Sequence, residues 1–105
     1  MNVPDVIDEI GARLGAVVPP RSQVFLFGSR ARGDADDGSD FDILVIEPDL
    51  EDAAVESVRL RRELRGLGVP IDVVVVDRAK ASRRRTVRGT MVELALREGR
   101  LLVDS

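Results

Sequence analysis

The stretch Gly28–Val45, which reads GSRARGDADDGSDFDILV, is a polar segment between two apolar runs. The first run, Val24–Phe27, is short and stops at a glycine, which is typical of a buried strand with an abrupt end. The second run, Phe41–Ile46, is long enough for another strand. We therefore predict a strand, a turn with a polar loop and a second strand, with the rest of the chain as their scaffold.

The beginning of this segment has the residues of a phosphate-binding turn. Gly28 has no Cβ atom, so its backbone can adopt unusual torsion angles and let a ligand come close. Ser29 adds a hydroxyl and an N–H group where a short helical turn can begin, and the unpaired N–H groups of such a turn favour anions.

Two carboxylates stand at the start of the second predicted strand. Because strand side chains alternate between faces, Asp40 and Asp42 are expected on one face, with Cα atoms roughly 6.5 Å apart. Two such carboxylates repel each other unless a cation lies between them, and hard oxygen ligands suit Mg²⁺. A phosphate-binding turn beside a carboxylate pair indicates metal-assisted phosphoryl chemistry.

Two better-known phosphate and metal loops do not fit the segment. Asp34 and Ala35 stand where a P-loop requires Lys and then Ser or Thr. Ser39 and Val45 stand where a calcium-binding EF-hand loop requires Gly and Glu.

The segment instead resembles the nucleotidyltransferase superfamily of DNA polymerase β, and most closely its minimal nucleotidyltransferase branch. The resemblance rests on Gly28-Ser29, a gap of ten residues and then Asp40-Phe41-Asp42, with Arg32 and Gly33 also as in that branch. It implies transfer of AMP from ATP to a hydroxyl, with release of pyrophosphate. It further implies that the Gly-Ser pair holds the β- and γ-phosphates and that the two aspartates hold two Mg²⁺ ions.

A third carboxylate and two arginines complete the candidate site. Asp72 interrupts the start of the apolar strand Ile71–Val76, where a carboxylate is costly unless it is paired, bound to metal or at an open end. The resemblance makes Asp72 the third member of the acidic cluster, which can take the proton of the acceptor, whereas the alternative is a strand-end carboxylate facing water. Arg30 or Arg32 is expected to balance charge on the leaving pyrophosphate, and for Arg32 a structural salt bridge is the alternative.

The composition limits the other chemistries. A chain of 105 residues with 44% apolar and 33% charged content predicts one domain, spanning residues 1–105, in a soluble and cytoplasmic protein without a membrane span. The absence of Cys and His removes thiol nucleophiles, Ser-His dyads and the usual zinc ligands. The net charge of −3 and the absence of Trp and Tyr argue against direct nucleic-acid binding.

The remaining patterns predict a small α+β domain, in which a mixed β-sheet is covered by helices, and the resemblance implies the same polymerase β-like fold. Helical spacing predicts helices over residues 4–16, 50–67 and 82–98, and a last short strand over 101–103. The run Arg83–Arg85 would then lie at a helix start, where it is either solvated or in contact with triphosphate, acceptor or partner.

The acceptor must come from outside this chain, because no acceptor-binding segment is visible. The resemblance implies a separate HEPN-type RNase toxin, which the minimal nucleotidyltransferase neutralises as antitoxin by adding AMP to a tyrosine. One alternative is a non-catalytic binding module that masks its partner sterically. Another is a small-molecule nucleotidyltransferase of the aminoglycoside-modifying kind.

Overall fold

The fold is built on a four-stranded mixed sheet with the strand order β3-β2-β1-β4. In the computed structural model, which describes residues 1–105, the strands are β1 (Gln23–Phe27), β2 (Phe41–Glu47), β3 (Ile71–Asp77) and β4 (Arg100–Asp104). β1 runs antiparallel to β2 and β4, whereas β2 and β3 are parallel. The predicted α+β class with a helix-covered mixed sheet is confirmed, and so are the four predicted strands.

Five helices complete the fold: α1 (Val3–Gly15), α2 (Ser29–Arg32), α3 (Ala53–Arg62), α4 (Arg78–Arg84) and α5 (Met91–Glu98). The alternation of buried side chains along β2 makes two apolar clusters, one on each face of the sheet. Ile43 and Val45 pack in the cluster under α1 and α3, while Leu44 and Ile46 pack in the cluster under α4 and α5. None of the helices has both the length and the apolar composition needed to cross a bilayer.

The first and third helices follow their predicted patterns. The side chain of Asn2 accepts a hydrogen bond from the Asp5 N–H and caps α1. This helix buries Val6, Ile7, Ile10 and Leu14. α3 is shorter than predicted because Asp52 caps it, accepting from Ala54 and Val55, and because the chain leaves the helix after Arg62. Its apolar stripe nevertheless continues into the core in the turns beyond the helix.

The predicted single helix over residues 82–98 is wrong, since two helices occupy this region. α4 begins at Arg78, because the side chain of Asp77 accepts a hydrogen bond from the Lys80 N–H. The chain then leaves the helix before Gly89, which has a φ of 89°, and Thr90 caps α5 by accepting from the Glu93 N–H. The arginine run therefore lies at the end of α4, where cations interact favourably with the helix dipole.

Candidate active site

The candidate site begins at the turn between β1 and α2. Gly28 has φ 74° and ψ −158°, a combination that is almost confined to glycine. A Cβ atom at this position would lie 2.5 Å from Oδ2 of Asp42, closer than real Cβ contacts. The backbone conformation therefore requires glycine here, and a Cβ atom would also displace the Asp42 carboxylate.

The short helix α2 follows this turn directly. Its N–H groups at Ala31 and Arg32 both donate to the Gly28 carbonyl, at 3.0 and 3.1 Å. Ser29 opens the helix and is half-buried. The N–H groups of Ser29 and Arg30 have no such acceptor within the turn, so the turn can offer these two donors and the Ser29 hydroxyl to an anion.

The sheet brings two of the predicted carboxylates side by side. Asp42 pairs with Phe27 of β1 on one side and with Asp72 of β3 on the other. Neighbouring strands lie about 4.8 Å apart, so the two aspartates are adjacent across the parallel pair. Asp42 is two residues from Leu44 and therefore lies on the same face of the sheet, which α4 and α5 cover. Asp72, which is its partner across the strand pair, lies on that face too.

Asp40 lies just before β2, at the end of a loop that holds its own shape. In this loop Oδ1 of Asp36 accepts from the Gly38 N–H at 3.0 Å and from the Ser39 hydroxyl at 3.2 Å. The Ser39 hydroxyl in turn accepts from the Asp36 N–H at 3.0 Å. The loop leaves Asp40 exposed, two residues before Asp42.

The charges of these carboxylates act on one another. Burial raises the pKa of Asp42, and the negative charges of Asp72 and then Asp40 raise it further, while Arg32 partly opposes the shift. An excess of negative charge at one sheet edge favours binding of a cation, which would stabilise the ionised form of Asp42.

The donor chemistry of the site fits a magnesium ion, because carboxylate oxygens are the ligands that Mg²⁺ prefers. The adjacent pair Asp42 and Asp72 supplies such oxygens, and Asp40 stands close enough to raise the pKa of Asp42. The three carboxylates do not, however, converge into a compact three-ligand cluster. The three-residue ligand set therefore stays a prediction.

The two candidate phosphate-binding arginines are engaged within the protein. Arg30 donates to the Ser39 carbonyl through Nε at 3.3 Å and Nη2 at 3.1 Å, and its guanidinium lies 4.5 Å from the centroid of the Phe41 ring. Arg32 forms ion pairs with Glu98 at 2.7 Å and with Asp34 at 3.1 Å. Arg30 thus fastens the polar loop to β2. Arg32 has the structural salt bridge foreseen as its alternative role, and its contact with pyrophosphate stays a prediction.

A buried carboxylate at the far end of β2 was not anticipated from the sequence. Glu47 is 2% exposed, and its Oε2 atom has no hydrogen-bond partner. Burial raises the pKa of Glu47 to about 8, and the neighbouring Glu56 adds to the shift. Glu56 itself is bound by Arg59, which lowers its pKa. The sequence pattern that could have predicted this burial is the alternation of strand side chains, which places Glu47 on the same core-facing side of β2 as Val45.

Comparison with known proteins identifies relatives of this fold and motif. The family model of the nucleotidyltransferase domain matches residues 7–94. A search of curated protein sequences gave no significant match.

Among solved structures, the chain is similar to a toxin–antitoxin crystallised with AMP-PNP, with 22% identity, a TM-score of 0.67 and coverage of 93% of this chain and 73% of that one. It is also similar to a candidate nucleotidyltransferase from Sulfolobus solfataricus, with 27% identity, a TM-score of 0.62 and coverage of 92% of this chain and 76% of that one. A mutant of the toxin–antitoxin MntA-HpeT has 20% identity, a TM-score of 0.63 and coverage of 100% of this chain and 75% of that one.

Proposed function

Because the chain belongs to the nucleotidyltransferase domain family, we propose that it transfers AMP from ATP to a hydroxyl of a partner protein. The observation that carries this proposal is the contact between the Gly28 turn and Asp42, in register with Asp72. A phosphate-binding turn and a carboxylate pair thereby meet at one edge of the sheet. This is the arrangement that a metal-assisted transfer of a phosphoryl group requires.

The turn is the proposed site for the triphosphate. Ser29 and the N–H groups at the start of α2 would bind the β- and γ-phosphates, because an unpaired helix start favours anions. The absence of a side chain at Gly28 lets the Asp42 carboxylate approach the turn that would hold the triphosphate. The similarity in fold to a toxin–antitoxin crystallised with AMP-PNP supports an adenine nucleotide as substrate.

The carboxylates are the proposed site of magnesium. Asp40, Asp42 and Asp72 would hold the ions through their oxygens. Bound Mg²⁺ would neutralise charge on the triphosphate and lower the pKa of the acceptor hydroxyl. Asp72, which is exposed near the start of β3, would also take the proton that the hydroxyl loses.

The proposed reaction forms one bond and breaks one. The acceptor oxygen attacks the α-phosphorus of ATP, the bond from that phosphorus to the bridging oxygen of the β-phosphate breaks, and pyrophosphate leaves. The hydroxyl proton passes to a carboxylate. The chain therefore needs a triphosphate, an acceptor hydroxyl and a cation, and no oxidant or reductant.

We further propose that the acceptor is a tyrosine of a HEPN-type toxin and that the chain acts as its antitoxin. The fold similarity to two toxin–antitoxin structures supports this role. The chain has no Tyr of its own, so a tyrosine acceptor has to be supplied in trans.

The test compares ATP labelled at the α-phosphate with ATP labelled at the γ-phosphate, in the presence of Mg²⁺ and the protein encoded by the neighbouring gene. Label should reach that protein from the α position alone, with release of pyrophosphate, and Asp42→Asn should abolish the transfer. The matched control is Asp8→Asn, which changes an exposed carboxylate on α1, on the other face of the sheet. Transfer from the γ position would replace the proposal with kinase activity. Tight binding without any transfer would favour steric masking.

A further inference from the structure

The segment formed by α4 and the loop after it carries an unusual concentration of positive charge. Residues 78–88 contain six cations and no acidic residue, although the whole chain has a net charge of −3. The six are Arg78, Lys80, Arg83, Arg84, Arg85 and Arg88, and we call them the cationic surface. None of them forms an ion pair with a carboxylate, whereas Arg13, Arg32, Arg59 and Arg97 all do. This charge is therefore not neutralised within the chain.

The cationic surface borders the largest cavity of the molecule, which has a volume of about 620 Å³. Arg78 and Arg85 lie at this cavity, together with the hydroxyl residues Ser82 and Thr86 and the ion pair of Arg97 with Glu93. Its apolar lining consists of Ile46, Ala81 and Leu96. The cavity thus combines cationic and hydroxyl groups with an apolar floor.

Apolar side chains are also exposed around the cationic surface. Val87 is 50% exposed, Met91 48% and Leu96 45%. These residues belong to α5 and the loop before it, and two of them lie beside the cationic surface: Leu96 lines the cavity with Arg85, and Met91 lines a second cavity with Arg84. An exposed apolar patch of this kind beside charged groups is typical of a protein-binding surface.

The cavity lies on the same sheet face as the candidate active site, but farther along the strands. Ile46 lines the cavity and is four residues from Asp42 along β2. Four residues of a strand span about 13 Å. A protein bound in the cavity would therefore have to extend about 13 Å along the sheet to reach Asp42 and Asp72.

We propose that the cationic surface and its cavity dock an acidic, amphipathic segment of the acceptor protein and so present its hydroxyl to the active site. This inference rests on the proposed transfer to a partner protein. Charge complementarity calls for Asp and Glu in that segment, and the apolar floor calls for aliphatic or aromatic side chains between them. RNA meets only the first requirement, because its phosphates gain nothing from an apolar floor and the chain has no Trp or Tyr on which bases could stack.

The test measures the affinity of the nucleotide-free chain for the protein encoded by the neighbouring gene, by calorimetry at low and high salt. The double variant Arg84→Glu/Arg85→Glu should weaken binding at least tenfold and reduce its salt dependence, because both substitutions reverse charges of the cationic surface. The matched control is Arg62→Glu/Arg65→Glu, which makes the same charge changes at exposed residues of α3 and the turn after it. The control should bind like the wild type. Circular dichroism would verify that both variants fold.

Unchanged affinity in Arg84→Glu/Arg85→Glu, or an equal loss in the control, would overturn the inference. The inference would also be overturned if Arg84→Glu/Arg85→Glu kept its affinity for the partner but lost binding to a single-stranded RNA oligonucleotide, because the cationic surface would then be an RNA site. The proposed AMP transfer is refuted by a different result. Partner binding that depends on Arg85 but is accompanied by no AMP transfer would support the docking surface and refute the enzymatic activity. In an active enzyme, the double variant should raise KM for the protein acceptor and leave KM for ATP unchanged.

Discussion

Replacing Gly28 with alanine is the perturbation that the structure specifies most sharply. The residue has φ 74° and ψ −158°, where a non-glycine residue costs about 1–3 kcal/mol. The added methyl group would also lie 2.5 Å from Oδ2 of Asp42, so the carboxylate or the turn has to move. One methyl group thus disturbs both the phosphate turn and a proposed metal ligand.

Two effects of Gly28→Ala are expected. For a domain of this size, each kcal/mol of lost stability lowers Tm by roughly 4–8 °C. The backbone cost alone therefore predicts a decrease of at least about 4 °C. Because a displacement of about 1 Å in a catalytic group can cost a factor of about 100, kcat for AMP transfer should fall by about that factor.

The assay pairs a thermal melt with the rate of AMP transfer below the Tm of the variant. Gly66→Ala is the matched control, because Gly66 also has a positive φ, 86°, but a Cβ atom there would meet nothing within 4 Å. The control should lose some stability and keep its kcat. Wild-type kcat in folded Gly28→Ala would refute the reasoning that the turn and Asp42 form one site.

Three further predictions concern single side chains. Asp42→Asn should abolish transfer yet raise Tm in EDTA, because it removes a charge that burial disfavours and its repulsion from Asp72, the latter worth about 1 kcal/mol. A lower Tm would contradict this account of the raised pKa. The burial that raises the pKa of Glu47 to about 8 favours its protonated form in the folded state. Stability should therefore fall as the pH rises from about 5 to about 8, by up to about 1.4 kcal/mol per pH unit. Urea denaturation at several pH values should show this slope in the wild type and a flatter one in Glu47→Gln. Arg30→Ala removes two hydrogen bonds to the Ser39 carbonyl and should therefore destabilise the polar loop. Faster amide hydrogen exchange in the loop would reveal this effect. Unchanged exchange would show that the internal hydrogen bonds of the loop are sufficient to order it.

The strands were predictable because their signal is local. Continuous apolar runs ended by Gly28 and Pro48 fixed β1 and β2 to within one residue. The alternation of strand side chains also predicts Asp40 and Asp42 on one face, although Asp40 lies just before β2. The adjacency of Asp42 and Asp72 depends on the parallel pairing of β2 with β3, which no periodicity encodes, so the resemblance alone anticipated it.

The error at the arginine run has a physical cause. Apolar residues at helical spacing run through residues 82–98, but caps determine where helices begin and end. Asp77 and Thr90 are both side chains that can cap, and each competes with continuation of the helix. Gly89, which has a φ of 89°, ends any helical path through this loop. Apolar residues at helical spacing therefore predicted one helix where the caps make two.

Glu47 shows a second limit of sequence patterns. Its parity places it on a core-facing side, but its position at the end of an apolar strand predicts exposure to water. α3 and the turn before it determine the outcome, because they bring Glu56 and Arg59 towards this carboxylate. The burial of Glu47 is therefore determined by tertiary contacts with residues outside β2.

The intact mass of the partner protein tests the central claim most directly. The protein encoded by the neighbouring gene would be purified after coexpression with the wild-type chain, with Asp42→Asn or with Asp8→Asn, and weighed by mass spectrometry. The proposed function predicts a gain of one or more AMP units, located on a tyrosine, with the wild type and Asp8→Asn and no gain with Asp42→Asn. An unmodified partner that is still neutralised equally by all three chains would contradict it.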